Sequence, residues 1–156
     1  TLQLNHFLRT SPSLRRLEMQ GNAQGTDEEA LKDAIKASIV LESISRSSLL
    51  VKLTLREVLL EDDCHLEDFL SSTRTLLEFS YIIHSNSTMT YQVAKAIGSG
   101  LAQNKSLVKL IWSIFYPGVD FLEEVLFGLC DHISLKTLEL RAQLTKTSSL
   151  ALRSLL

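Results

Sequence analysis

The sequence has little that would indicate catalysis, export or a membrane span. Its 156 residues include only two cysteines, and no apolar run reaches the ~18 residues that a transmembrane helix needs. Two cysteines without a framework spacing favour a reducing compartment, so we expect a cytoplasmic protein. Glycine-rich phosphate loops, nucleophile elbows and recognisable carboxylate pairs are missing too, so the sequence predicts neither an enzyme nor a bound cofactor.

The sequence also has no large excess of positive or negative charge. Sixteen basic residues stand against eighteen acidic ones, which gives a formal net charge of -2. Nucleic-acid affinity depends on clustered cations, and this balance does not predict them. The composition, 45% apolar and 22% charged, is ordinary for a folded soluble domain. We therefore expect no contact with nucleic acid or membrane.

What the sequence does contain is a repeat. The pattern L-x-x-L-x-L recurs five times with some substitution, in copies that begin at Leu14, Leu50, Leu76, Leu107 and Leu135. Such recurrence indicates one structural unit stacked several times, because no single unit buries its own apolar face. The chain begins with Thr1 and a strand-like segment rather than a leader, so we expect a section of a longer array.

Each copy predicts a short strand followed by a loop and a helix. The last four positions alternate apolar and polar residues, which is typical of a half-buried strand. Apolar residues at helical spacing then predict five helices. The first begins at the capping pattern of Thr26, the second runs from about Asp62 to Ser72 and the third from Met89 to Gln103. The fourth follows Pro117, and the last begins near Thr147. Strands joined through helices must lie parallel, with right-handed crossovers.

The interval between the first two copies is the longest. It predicts either an extended helix through residues 39–48 or an irregular insertion at residues 45–48.

From Ser13 onward these features resemble the leucine-rich repeats of the ribonuclease-inhibitor-like subclass, which also form the sensor regions of NOD-like receptors. The resemblance implies one leucine-rich-repeat domain over residues 1–156 with about five repeats. It implies an α/β fold, a right-handed horseshoe solenoid with short parallel strands on the concave side and helices on the convex side. It also implies a concave surface that binds another protein.

One position departs from that family pattern. The second leucine position of each motif copy is called its second anchor. Five residues past it the family usually has Asn or Cys, whose side chain forms hydrogen bonds to the backbone of neighbouring turns. Here the occupants are Asn22, Val58, His84, Phe115 and Gln143. We expect less regular turns at the four exceptions, where other groups must satisfy the buried backbone.

The outward-facing strand positions carry the functional prediction. They form three columns across the repeats, and the predicted partner-binding residues are Arg16, Glu18, Lys52, Thr54, Arg56, Glu78, Ser80, Ile82, Lys109, Ile111, Glu139 and Arg141. Ile82 and Ile111 are expected to be exposed and ringed by charge, which is the usual anatomy of a contact surface. The alternative is that both are ordinary surface apolar residues.

Several single residues are better explained by packing than by chemistry. Trp112 and Tyr81 occupy inward strand positions and are expected in the core, with a partner for the tyrosine hydroxyl. Cys64 and Cys130 are expected as small core residues. The histidines beside these cysteines lack the spacing of metal ligands, so no metal site is predicted. The glycosylation acceptor pattern that begins at Asn104 is short enough to arise by chance.

These observations predict a non-enzymatic protein-protein interaction module. Two alternatives are a GTPase-activating protein of the Ran type and the substrate-recognition part of a ubiquitin ligase. A further alternative is an array that only supports a neighbouring domain.

Overall fold

The computed structural model describes residues 13–21, 37–44, 49–58, 60, 65–83, 90–114, 121–130, 132–142 and 146–154. Within these ranges the strands are β1 Arg16–Gln20, β2 Lys52–Arg56, β3 Glu78–Ile83, β4 Lys109–Ile114 and β5 Thr137–Ala142. The helices are α1 at residues 37–44, α2 Leu66–Ser72, α3 Tyr91–Gln103, α4 Leu122–Leu129 and α5 Lys146–Ser154. No described helix is long and apolar enough to span a membrane.

The five strands form one parallel sheet in the order β1-β2-β3-β4-β5. The second anchors of the repeats face one another across it: Leu17, Leu53, Phe79, Leu110 and Leu138. Sequence neighbours are therefore neighbours in space, and each described crossover contains a helix, as parallel pairing requires. The predicted α/β class with a parallel sheet is confirmed.

The core lies between the sheet and the helices. It forms one cluster, to which the strands contribute Leu53, Leu55, Phe79, Tyr81, Leu110 and Trp112 and the helices contribute Leu41, Phe69, Leu70, Ile97, Val125 and Leu126. Burying a side chain of this size stabilises the fold by roughly 1.5–3 kcal/mol. Trp112 is buried with its ring centre 5.4 Å from that of Tyr81, which confirms both residues as core.

The helices agree with the predicted periodicity where they are described. Helix α3 begins two residues later than expected, because Thr90 acts as its N-cap and its hydroxyl accepts a hydrogen bond from Val93 N at 3.2 Å. The start expected near Asp62 and the capping pattern at Thr26 lie outside the described residues. Of the segment 39–48, residues 39–44 are helical.

Glycines bring neighbouring helices unusually close. A Cβ atom added at Gly98 would collide with the backbone carbonyl oxygen of Glu124, and one added at Gly128 would collide with that of Gly98. Helices α3 and α4 therefore meet backbone to backbone. This close approach keeps neighbouring helices as near to each other as their backbones allow.

Candidate functional site

The outer face of the sheet, the side turned away from the helices, is the predicted binding surface. Strand registers place its residues in three columns: Arg16–Lys52–Glu78–Lys109–Thr137, Glu18–Thr54–Ser80–Ile111–Glu139 and Gln20–Arg56–Ile82–Ser113–Arg141. These columns match the sequence-based alignment residue for residue. Their position on one face is thus established, whereas their binding role stays a prediction.

Most charges on this face are paired with each other. Lys52 Nζ lies 2.6 Å from Glu78 Oε1, Lys109 Nζ lies 2.5 Å from Glu139 Oε1, and Arg56 Nε lies 3.4 Å from Glu18 Oε1. Each pair links two neighbouring strands. Exposed pairs of this kind contribute little stability, ~0–1 kcal/mol. Their main effect is to neutralise the face and to hold long side chains in defined positions.

The pair on β4 and β5 also has shifted pKa values. The hydrogen bond from Lys109 lowers the pKa of the Glu139 carboxyl, and the positive charge of Lys109 lowers it further. The same hydrogen bond raises the pKa of Lys109. Both groups therefore stay charged over a wider pH range than isolated side chains would.

The centre of the outer face consists of two isoleucines and three small hydroxyl residues. Ile82 and Ile111 lie on neighbouring strands and are half-buried. The sequence predicts both as exposed, whereas the structure leaves each only partly exposed. Thr54, Ser80 and Ser113, on the same face, are buried. The result is a floor of small and β-branched residues with a charged rim.

Arg16 and Arg141 lie at the two ends of the outer face. Arg16 belongs to the first column on β1 and Arg141 to the third column on β5, and both are exposed. They place a positive charge at each end of the otherwise neutralised surface.

The turn after β2 confirms that a substitute satisfies the backbone where the expected Asn is missing. Val58 occupies that position and is buried, and the Tyr81 hydroxyl donates to its carbonyl oxygen at 3.3 Å. Glu57, just before it, has a positive φ of 51°, a backbone conformation that is uncommon for residues other than glycine. The turn is irregular, as predicted. Asn22, His84, Phe115 and Gln143 lie outside the described residues.

Asn104 is a structural residue that the sequence did not identify. It is 1% exposed, and its side-chain nitrogen donates to Leu70 O at 2.7 Å. Its side-chain oxygen accepts from Ser106 N at 2.9 Å and from Leu107 N at 2.8 Å. These bonds tie the turn before β4 to the preceding unit. An amide enclosed in this way is not available as a glycosylation acceptor in the folded chain.

One expected core residue lies at the surface. Cys130 is exposed and directly follows Leu129, the last residue of α4. The prediction of a buried thiol is wrong at this position, and Cys64 lies outside the described residues. Among the described residues, no group of three or more Asp, Glu, His or Cys side chains could hold a metal ion.

Comparisons with known proteins agree on the fold. Neither a protein-family model nor a curated protein sequence matches this chain. Several solved structures are similar to it, among them the following two. The tropomodulin C-terminal domain of Caenorhabditis elegans has a TM-score of 0.61 at 14% identity, covering 99% of this chain and 90% of that one. The leiomodin-1 actin-binding site 2 has a TM-score of 0.65 at 14% identity, covering 98% and 85%.

These matches correct the predicted relationship. The assignment to the ribonuclease-inhibitor-like leucine-rich repeats is wrong, since the structures that match are tropomodulin and leiomodin domains. The L-x-x-L-x-L spacing reports how inward strand residues stack, and any array of parallel strand–helix units can require it. At 14% identity the likeness concerns the fold alone.

Proposed function

We propose that this chain is a non-enzymatic module that binds another protein through the outer face of its sheet. The observation that supports the proposal most is the half-buried pair Ile82 and Ile111 within a rim of fixed ion pairs. Protein contacts commonly combine an apolar centre with a polar rim, and a few central residues dominate their affinity. The proposal includes a curved, right-handed solenoid with this face on its concave side.

Actin is the partner to test first. One of the similar structures is named as an actin-binding site of leiomodin-1, and its fold resembles that of this chain. The proposal takes from it the class of partner, a folded protein surface, and the named candidate. It also includes a cytoplasmic location, motivated by the scarcity of cysteine and checked by imaging a tagged chain in cells.

The experiment measures binding of the chain to fluorescently labelled actin monomers by anisotropy. Changing Ile82→Asp together with Ile111→Asp introduces two desolvated carboxylates at the centre of the contact. We expect affinity to fall by at least about 30-fold, or ~2 kcal/mol, as for other central contact residues. The matched control is Phe127→Asp, because Phe127 is a 59% exposed apolar residue on the helical layer.

Folding of each variant is checked by circular dichroism and thermal melting. Binding that survives the double change in a folded protein would contradict use of the outer face. Failure of the unaltered chain to bind actin would reject actin while leaving the surface open to test with other proteins.

A further inference from the structure

The turns that lead into the strands form a second surface, which we name the basic edge. Its described residues are 13–15, 49–51, 73–77, 104–108 and 132–136. Four exposed cations lie in them: Arg15, Arg74, Lys105 and Lys136. These ranges contain no Asp or Glu. The edge is therefore uniformly positive in the part of it that the structure describes.

The opposite edge carries the acidic charge. Helix α2 has Glu67 and Asp68 in its first turn, and α4 has Glu123 and Glu124. Acidic residues there are explained by the helix dipole, whose effect falls off within the terminal turn. The cations of the basic edge lie in the turns outside the helices, since α2, α3 and α4 have no basic residue in their last turns.

An apolar row runs along the basic edge. Val51 N donates to Arg15 O at 2.8 Å, Leu77 N to Val51 O at 2.8 Å, Val108 N to Leu77 O at 2.9 Å and Lys136 N to Val108 O at 2.9 Å. The row thus has a cation at each end and three apolar residues between them. Leu77 is 44% exposed, and Val51 and Val108 are half-buried.

The dimensions of the row suit an extended peptide. Five residues on neighbouring strands span four intervals, or about 19 Å. An extended chain covers that length in about six residues. Arg74 and Lys105 lie three residues before Leu77 and Val108, so they supply positive charge beside the row as well as at its ends.

We propose that the basic edge binds an acidic protein segment in extended form. Its carboxylates pair with Arg15, Arg74, Lys105 and Lys136, and an apolar side chain at its centre packs on Leu77. Charge complementarity of this kind selects the partner and speeds encounter. The basic edge is separate from the outer face, so this proposal does not depend on the proposed function.

The test uses a fluorescein-labelled peptide in which six glutamates surround two central leucines, with binding followed by anisotropy. The intact chain is expected to bind it saturably, and more weakly as salt is raised. Reversing two cations, Arg74→Glu with Lys105→Glu, is expected to weaken binding about tenfold or more. Leu77→Asp is expected to weaken it to a similar extent.

Lys95→Glu is the matched control, because Lys95 is an exposed cation on α3 outside the basic edge. It should leave binding within about twofold of the intact chain. A second control replaces the six glutamates by glutamines, which should abolish binding. All variants are first confirmed as folded by circular dichroism.

Three results would overturn the proposal. They are absence of saturable binding at low salt, equal losses from Lys95→Glu and from the double reversal, and equal binding of the glutamine peptide. Anionic phosphatidylserine vesicles form the last arm. If the chain binds vesicles but not the peptide, the edge recognises a membrane surface and the acidic-segment assignment is wrong.

Discussion

Asn104 joins two neighbouring units of the fold. Its side chain bonds to the carbonyl at the end of α2 and to two amides at the entrance to β4. The pattern Asn104-Lys105-Ser106 is readable in the sequence as a glycosylation acceptor, but the sequence does not reveal that the amide is enclosed. Its role depends on the carbonyl of Leu70, 34 residues away, which only stacking brings within 2.7 Å.

We expect Asn104→Ala to destabilise the chain by about 3 kcal/mol or more. The change leaves buried backbone groups of Leu70, Ser106 and Leu107 without partners, at ~1–3 kcal/mol for each unsatisfied group. Urea denaturation measures the difference. Gln103→Ala, at the exposed neighbouring position, is the control and should change stability by less than about 0.5 kcal/mol. A similar small effect at Asn104 would contradict the structural role.

His132 occupies the same repeat position as Asn104, three residues before the first leucine of its unit. Its Nδ1 lies 3.4 Å from the hydroxyl of Ser134, and its Nε2 is buried without a hydrogen-bond partner. Burial lowers the pKa of His132 from its ordinary 6.5, and the positive charge of Lys105 lowers it further. The folded chain therefore favours the neutral ring.

This shift predicts a loss of stability in mild acid. Because the pKa is lower in the folded state, the unfolded chain binds the proton first, so stability is complete above about pH 6.5 and declines as the pH falls toward the folded-state pKa. Urea unfolding between pH 7.5 and 5.5 should show His132→Asn gaining on the unaltered chain as the pH falls. His65→Asn, at an exposed histidine, is the control. Parallel pH profiles for all three proteins would reject this assignment.

At the scale of elements, helix spacing depends on glycine. The apolar periodicity of α3 predicted its inward face correctly, and Val93, Ile97 and Leu101 are buried. It did not predict that Gly98 and Gly128 meet across α3 and α4, because glycine contributes nothing to an apolar pattern. A glycine inside a helical pattern was the available signal, since it has a helix-propensity cost that close packing can offset.

We expect Gly98→Ala to destabilise the chain by up to about 2 kcal/mol. Alanine favours the helix by ~1 kcal/mol, but the added Cβ collides with the carbonyl of Glu124, and forced overpacking costs ~1–3 kcal/mol. The collision outweighs the propensity gain because the neighbouring atom is backbone and cannot rotate away. Ser99→Ala is the control, and urea denaturation is the measurement. A stabilised Gly98→Ala variant would show that the two helices separate at little cost.

Strands were the most predictable elements. Alternation in each L-x-x-L-x-L copy located all five, and aligned copies reproduced the observed register. Three strands, β3, β4 and β5, continue to Ile83, Ile114 and Ala142, two residues beyond the motif. The motif records which side chains face the core, whereas strand length also depends on how far the neighbouring strand continues to pair.

At the scale of the whole molecule, the near-neutral net charge conceals a separation of charge. Acidic first turns lie at one edge of the sheet and exposed cations at the other. Composition alone argued against electrostatic recognition, because the net charge does not show where the charged residues lie. Because the strands are parallel, every unit runs in the same direction. Corresponding ends of the units therefore lie at the same edge of the sheet.

By itself the sequence determined the unit, its repetition and the residues that face inward, because burial of apolar side chains follows local periodicity. It also determined which residues share the outer face, since identical units stack in register. Only the tertiary structure decided which charges pair, how far Ile82 and Ile111 are covered, and that Asn104 and Gly98 join adjacent units. Those properties depend on contacts between residues 26 or more positions apart, and their distances are set by lateral packing, which no local pattern records.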